Sequence, residues 1–237
     1  MLRYDSVTFT YGRRRAPVLD SFDWTVPSGR TVLLGPNGAG KSTLLAVGAD
    51  ALRPQRGTVS TVDGTGLRRL VGWMPQAIQP IGGLSCREQV AYAGWLKGLG
   101  RRTAWQRSAD ALDRVGLADL AERRPATLSG GQLRRLGLAQ VLVHEPAVLL
   151  LDEPTAGLDP AQRARFRQVS DDLGVPMLVS THQVDDLSAQ FDTVVVFLAG
   201  RVAFQGSVPE FLALAPHGVA EERRAEAAYF AMTGGEH

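Results

Sequence analysis

A chain of 237 residues, 44% hydrophobic and 21% charged, can bury one ample core or two smaller ones. A formal charge of only +2 argues against a polyanion-binding protein, and no apolar run reaches the roughly 20 residues of a membrane helix. A single cysteine, Cys86, excludes an internal disulfide.

The opening "LRYDSVTFTYG" and "VLDSFDWTVPSG" alternate polar and apolar residues, as half-buried antiparallel strands do. "RTVLL" (30–34) is a continuous apolar strand leading into a glycine-rich loop and the helix "KSTLLAVGA". "VGWM" before Gln76 is strand-like, and residues 86–125 are helical in pattern with breaks near Gly98–Gly100 and Gly116. A helix follows Ser129, then the buried strand "AVLLL" (147–151) and a helix through "AQRARFRQVSDDL". Two more apolar strands, "PMLVS" (176–180) and "TVVVFL" (193–198), come next, the latter turning at Ala199-Gly200 into "RVAFQ" as a hairpin. Buried strands alternating with helices predict an α/β fold with a mainly parallel sheet and an N-terminal antiparallel β-region. The helical stretch 77–143 interrupts the alternation and reads as an inserted subdomain. It would divide a single domain into a core of about 1–76 and 144–215, with a short helical tail over 216–237.

"GPNGAGKST" fits the phosphate-loop pattern in its required setting, strand before and helix after. Its residues are Gly35, Pro36, Asn37, Gly38, Ala39, Gly40, Lys41, Ser42 and Thr43. The three glycines let successive backbone N–H groups face inward as a nest for phosphate oxygens. Lys41 would reach the β- and γ-phosphates and the Ser42 hydroxyl would ligate Mg²⁺. Lysine is otherwise confined to Lys97, every other basic side chain being arginine or histidine. The arginine runs (Arg13–Arg15, Arg68–Arg69, Arg101–Arg102, Arg123–Arg124, Arg134–Arg135) lie scattered among acids and read as solvated surface. No nucleic-acid partner is expected.

"VLLLDEP" (148–154) ends a buried strand in two carboxylates. Downstream of a phosphate loop, Asp152 is placed to hold the Mg²⁺ shell and Glu153 to polarise an attacking water. Gln76 is an ordinary loop glutamine or a side-chain oxygen for Mg²⁺ or water. His182, after "VST", is a structural hydrogen-bonder or a sensor of the γ-phosphate at the C-terminal edge of a parallel sheet. Tyr11 is a packed strand aromatic or a platform for an adenine ring. "LSGGQ" (128–132) begins a helix with a good N-cap, Ser129, and two glycines, Gly130 and Gly131, before Gln132. It makes a second anion-binding helix start in a chain whose first loop already cradles one triphosphate, so it is expected to serve another chain's nucleotide.

Taken together these motifs make the chain resemble the nucleotide-binding subunit of ATP-binding-cassette (ABC) transporters, over nearly its whole length. The resemblance implies an ATP- and Mg²⁺-dependent ATPase whose motifs are the Walker A loop (35–43), Walker B strand (148–154) and signature (128–132). It further implies that Glu153 is the catalytic glutamate, Gln76 the Q-loop, His182 the H-loop switch, Tyr11 the adenine-stacking aromatic and Asp159 the D-loop. The signature, from Ser129 to Gln132, would contact ATP on the opposite subunit of a head-to-tail dimer. The metal set implied is Ser42, Gln76 and Asp152, the last through water. The expected partners are a second copy or a paralogous ATPase subunit and a separately encoded integral membrane subunit. The expected location is the cytoplasmic face of the cell membrane.

Two departures from the family pattern stand out. "STVDGTGLRRLVGWMPQ" is short for the peripheral β-region, and the tail after Gly206 leaves no room for a regulatory domain. The ending "AEAAYFAMTGG" resembles that of bacterial exporter ATPases, so an exporter is expected. The alternative is a soluble ABC-type ATPase acting as a nucleotide-gated clamp. Such relatives carry two cassettes or long heptad insertions, and neither is present here. A small-molecule P-loop kinase would have no use for "LSGGQ". Docking of the membrane partner is expected on the helical insertion, through apolar residues such as Ile78, Ile81, Leu84, Trp95 and Leu96.

Overall fold

The computed structural model describes residues 2–12, 15–61, 66–182, 187 and 191–234. Arg13 and Arg14, the 62–65 part of the short β-region, His237 and the last residue of "AEAAYFAMTGG" lie outside the described residues. The chain divides into two compact units, one of residues 1–64 and 176–237, the other of residues 65–175.

In the first unit, β1 (Leu2–Phe9) is the middle strand of an antiparallel sheet between β2 (Leu19–Thr25) and β4 (Arg56–Thr61). The sequence pattern announces β1 and β2; β4 escapes it, because its "RGTVST" has a single apolar residue and draws its stability from pairing with β1. Register shifts interrupt both pairings of β1, where Ser6 (φ 48°) and, opposite, Ser21 (φ 46°) take left-handed backbone. β3 (Arg30–Leu34) is paired in parallel with β7 (Met177–Thr181) on one side and β8 (Thr193–Leu198) on the other. β9 (Arg201–Ser207) closes the hairpin predicted at Ala199-Gly200. The inner faces of β1 and β2 supply an aromatic cluster. The Tyr4 ring meets Phe22 edge-on at 5.7 Å, and Phe22 meets Phe197 of β8 at 5.8 Å. The buried Tyr4 hydroxyl donates to the carbonyl of Leu44, 2.9 Å away, in α1 (Lys41–Gly48). Burial pushes its phenol well above the usual range, so the group stays a neutral donor. On another face of β3 and β8, Val32, Leu34, Val194 and Val196 pack with Phe211 of α7 (Val208–Leu212) and Ala228 of α8 (Arg224–Thr233).

The second unit pairs β5 (Val71–Met74), preceded by the short α2 (Leu67–Leu70), in parallel with β6 (Val148–Asp152). Around this pair stand α3 (Cys86–Leu96), α4 (Arg101–Arg114), α5 (Gly130–Leu142) and α6 (Pro160–Asp171). The predicted break between α3 and α4 falls where expected, with Gly98 at φ 95°. Three polar N-caps position these helices. Ser85 and Glu88 form a reciprocal capping box on α3, Ser129 and Gln132 another on α5, and Asp159 caps α6 from 2.8 Å. Cys86 is fully buried in the first turn of α3, and burial raises its thiol pKa, as suits a packing residue. Ile78 packs onto α5, where a Cβ on Gly137 would come within 2.7 Å of its Cγ1. Of the expected apolar residues Trp95 and Leu96 are exposed, while Ile78, Ile81 and Leu84 are half-buried; Tyr92 and Trp105 are exposed as well. Among the described residues no helix is long and apolar enough to cross a membrane.

Candidate functional site

The first unit carries the glycine loop between β3 and α1. Gly38 (φ 83°) and Gly40 (φ 101°) hold left-handed backbone that other residues rarely adopt. Gly35 has ordinary φ and is required for space, since a Cβ there would run into the carbonyl oxygen of Phe197. The loop is pinned at its base, where the Gly200 N–H donates to the Ala39 carbonyl over 3.1 Å. Pro36, Asn37 and Gly38 are exposed at the crest, as is the Ser42 hydroxyl-bearing residue at the helix start. The buried Lys41 lays its ammonium across the loop, donating to the carbonyls of Gly35 (2.6 Å) and Pro36 (3.1 Å). A loop with left-handed glycines, a helix start, one ammonium and no carboxylate suits a phosphate chain.

Two further sequence-predicted residues, Tyr11 after β1 and His182 after β7, belong to the same unit. The Tyr11 ring is 58% exposed, stands edge-on to Phe9 at 5.0 Å, and its hydroxyl lies 3.0 Å from Thr43 Oγ1. A largely exposed aromatic residue tethered through its hydroxyl can offer surface for stacking. Leu34 pairs with Thr181 across β3 and β7, so His182 follows β7 just where Gly35 follows β3.

The second unit gathers the carboxylates. Met74 and Leu151 are register partners, and two residues further along the chain from each lie Gln76 and Glu153, just past the strand ends. There Gln76 Nε2 donates to Glu153 Oε2 over 3.1 Å, which leaves the amide oxygen of Gln76 as an acceptor for water or a cation. Glu153 has φ 44°, a conformation costly for a residue with a side chain and one that clusters at functional sites. Asp152, at the end of β6, is buried. Among the described residues no group of three His, Cys, Asp or Glu side chains could hold a metal alone. Carboxylate and amide oxygens, such as those of Asp152 and Gln76, are nonetheless among the hard donors that Mg²⁺ takes.

A residue that composition concealed completes this cluster. Arg134, taken from sequence as half of a solvated pair, is half-buried on α5. Its Nη1 donates to the main-chain carbonyl of Gln76 and its Nη2 to that of Ala156, 3.2 Å away. Burial lowers its pKa, and the nearby charges of Glu153 and Asp152 work against that fall. Arg135 is likewise occupied, donating over 2.8 Å to the carbonyls of both Val115 and Gly116. The described partners of the other runs, Arg15, Arg68–Arg69, Arg101–Arg102 and Arg123–Arg124, are exposed as expected.

The signature stretch has a different geometry for each residue. Ser129 Oγ accepts from the Gln132 N–H (3.3 Å), and Gln132 Oε1 accepts from the Ser129 N–H (2.9 Å). Gly131 is buried where a Cβ would meet the Gln162 side chain of α6 at 3.0 Å, so a larger residue there would have to displace it. Gly130 is exposed and open, its nearest neighbour Leu158 4.0 Å from where a Cβ would stand. Asp159 is exposed at the cap of α6.

Comparison with known proteins yields a family and a fold. Residues 19–156 match the family model described as ABC transporter. The chain is similar to an uncharacterized ABC transporter ATP-binding protein, YxlF, of Bacillus subtilis, with 39% identity over 181 residues covering 75% of this chain and 61% of that protein. It is 36% identical over 230 residues to the methionine import ATP-binding protein MetN 1 of Rhodococcus jostii, covering 90% of this chain. The chain thus spans 61% and 68% of the lengths of these two relatives. Among solved structures, cbiO1 from Clostridium perfringens, part of the ABC transporter complex cbiONQ, superposes with a TM-score of 0.74 at 31% identity, covering 90% of each chain. The α/β architecture, with parallel pairing in both units and an antiparallel β-region, is that of these cassettes.

Proposed function

The chain belongs to the ABC transporter family, and we propose that it is the ATP-hydrolysing motor subunit of such a transporter. The observation that carries the reading is the glycine loop itself, with left-handed Gly38 and Gly40 and the Lys41 ammonium folded over its crest. The loop N–H groups and Lys41 bind the triphosphate, and Tyr11 stacks on the adenine. Glu153, held by Gln76, orients an attacking water and accepts its proton, while His182 meets the γ-phosphate. Bound Mg²⁺, held by Ser42, Gln76 and Asp152, would supply charge neutralisation between the phosphates.

The working form is a head-to-tail dimer in which Ser129, Gly130 and their helix start serve the partner's ATP, with Asp159 near the crossing between sites. A Lys41→Ala chain keeps its signature but holds ATP poorly. A Ser129→Arg, Glu153→Gln chain holds ATP but offers no signature. Neither should dimerise alone with ATP, whereas the mixture should form heterodimers on a sizing column. A mixture that stays monomeric, while Glu153→Gln alone dimerises, refutes the shared site.

The membrane partner docks on α3 and α4 at the cytoplasmic face. Tyr92, Trp95 and Trp105 line a groove there of about 630 Å³, and the nucleotide loop has no use for them. Trp95→Asp should abolish co-purification with the membrane subunit and leave ATP binding intact; a surviving complex would move the docking face elsewhere. Export is the proposed direction, supported by the ending of the chain. Nucleotide-driven uptake of cargo into inside-out vesicles tests it against the import named for MetN 1.

A further inference from the structure

The Gln76–Glu153 contact joins the ends of two strands, and such a contact needs something to fix the spacing of the loops that carry it. α5 supplies a candidate. Its Arg134 guanidinium reaches two main-chain carbonyls at once, that of Gln76 after β5 and that of Ala156 in the turn after β6. The same turn is closed by the Ala156 N–H donating to the Glu153 carbonyl over 3.1 Å. One planar fork therefore ties the backbone bearing the glutamine to the turn bearing the glutamate. A lysine could meet two carbonyls from its one nitrogen, but it lacks the planar fork that holds them at this fixed spacing. The guanidinium also lies close enough to Glu153 and Asp152 to feel both charges. Ser129, the cap, lies within the first two turns before Arg134, so the helix that begins at the signature is the helix that carries the fork.

We infer that Arg134 is a positioning residue for hydrolysis: through its two carbonyl contacts it holds Gln76 and the Glu153 turn in register, and it links that register to the helix started by the signature. The inference rests on the hydrolase reading above. Arg134 acts indirectly, by holding the backbone on both sides of the Gln76–Glu153 contact, so its effect runs through that contact. Movement of α5 at Ser129 would then be felt at Glu153 through a rigid side chain and two hydrogen bonds.

The test measures ATP turnover in purified full chains carrying Arg134→Gln, Arg134→Lys, Gln76→Ala, and Gln76→Ala with Arg134→Gln, beside Glu153→Gln. Arg134→Gln should lower kcat by about 10- to 100-fold while the KM for ATP stays within about twofold, since displacement of an orienting group costs on that order. Arg134→Lys should recover only part of the loss. In the Gln76→Ala background, adding Arg134→Gln should change kcat less than about twofold, as residues acting through one another are not additive. Full recovery by Arg134→Lys would show that charge rather than the fork matters and would overturn the inference, as would independent, multiplying losses in the double variant. Wild-type kcat in the Arg134 variants beside an inactive Glu153→Gln overturns this inference alone. Wild-type turnover in Glu153→Gln overturns the hydrolase reading beneath it. Should Arg134→Gln fail to fold, Arg134→Lys, which keeps the charge and the packed stem, carries the same comparison in both backgrounds.

Discussion

The glycine loop of the first unit and the carboxylate cluster of the second achieve placement by different means. The loop is one contiguous run of residues 35–43 whose shape is set by backbone dihedrals, and its only charged side chain lies back over its own carbonyls. The cluster draws on residues 76, 134 and 152–156, brought together by strand register and by a helix, and it works through side chains. A backbone device is specified locally and tolerates little substitution. A side-chain device is specified by packing, so its members can be exchanged one at a time, each with its own signature.

The sharpest break is at Glu153. Glu153→Gln should retain ATP, because the first unit binds it, yet turn over at least ~100-fold more slowly, the scale of a lost general base. Equilibrium binding alongside steady-state hydrolysis checks this, and near-normal turnover would remove Glu153 from the chemistry. Next comes the backbone side of the comparison. Gly40→Ala forces a Cβ at φ 101° to within 2.8 Å of Val18 Cγ1, and should cost about 2 kcal/mol of stability together with ATP affinity. Denaturant melts with and without ATP would show it; an unchanged midpoint would mean that the loop relaxes freely.

The last effect concerns pH. His144, buried beside Lys97 and 3.3 Å from the Val71 carbonyl, has its pKa lowered to about 4, chiefly by burial. The unfolded chain takes up this proton near pH 6.5, so between about 6.5 and 4 the unfolded state binds more protons than the folded one. Stability should therefore fall as pH drops through that window, by at most about 3 kcal/mol, and level off below it. His144→Gln should flatten the profile. An unaltered acid slope in that variant would assign the sensitivity to other groups.

What was legible from sequence follows the same division. The run 35–43 could be read because glycine spacing, lysine and hydroxyl sit in consecutive positions, and the strand before and helix after repeat their patterns locally. Glu153 and Gln76 were legible as the ends of apolar strands, and Ser129 and Asp159 as N-caps, since each is a relation between a residue and its near neighbours. Their mutual contact was not, because 77 residues separate Gln76 from Glu153 along the chain. β4 was missed for a related reason, being a polar strand that exists by pairing with β1.

By itself the sequence determined the alternation of strands and helices, the phosphate loop and the identity of the acids, all encoded in short-range pattern. Only the tertiary structure decided that Ile78 fills space over Gly137 while Trp105 stays exposed, and that Gly131 packs against Gln162. It also turned Arg134 from an apparent surface charge into the tie between two loops. A side chain's neighbours are chosen by packing across elements, and an arginine reads the same in sequence whether its fork meets water or two carbonyls.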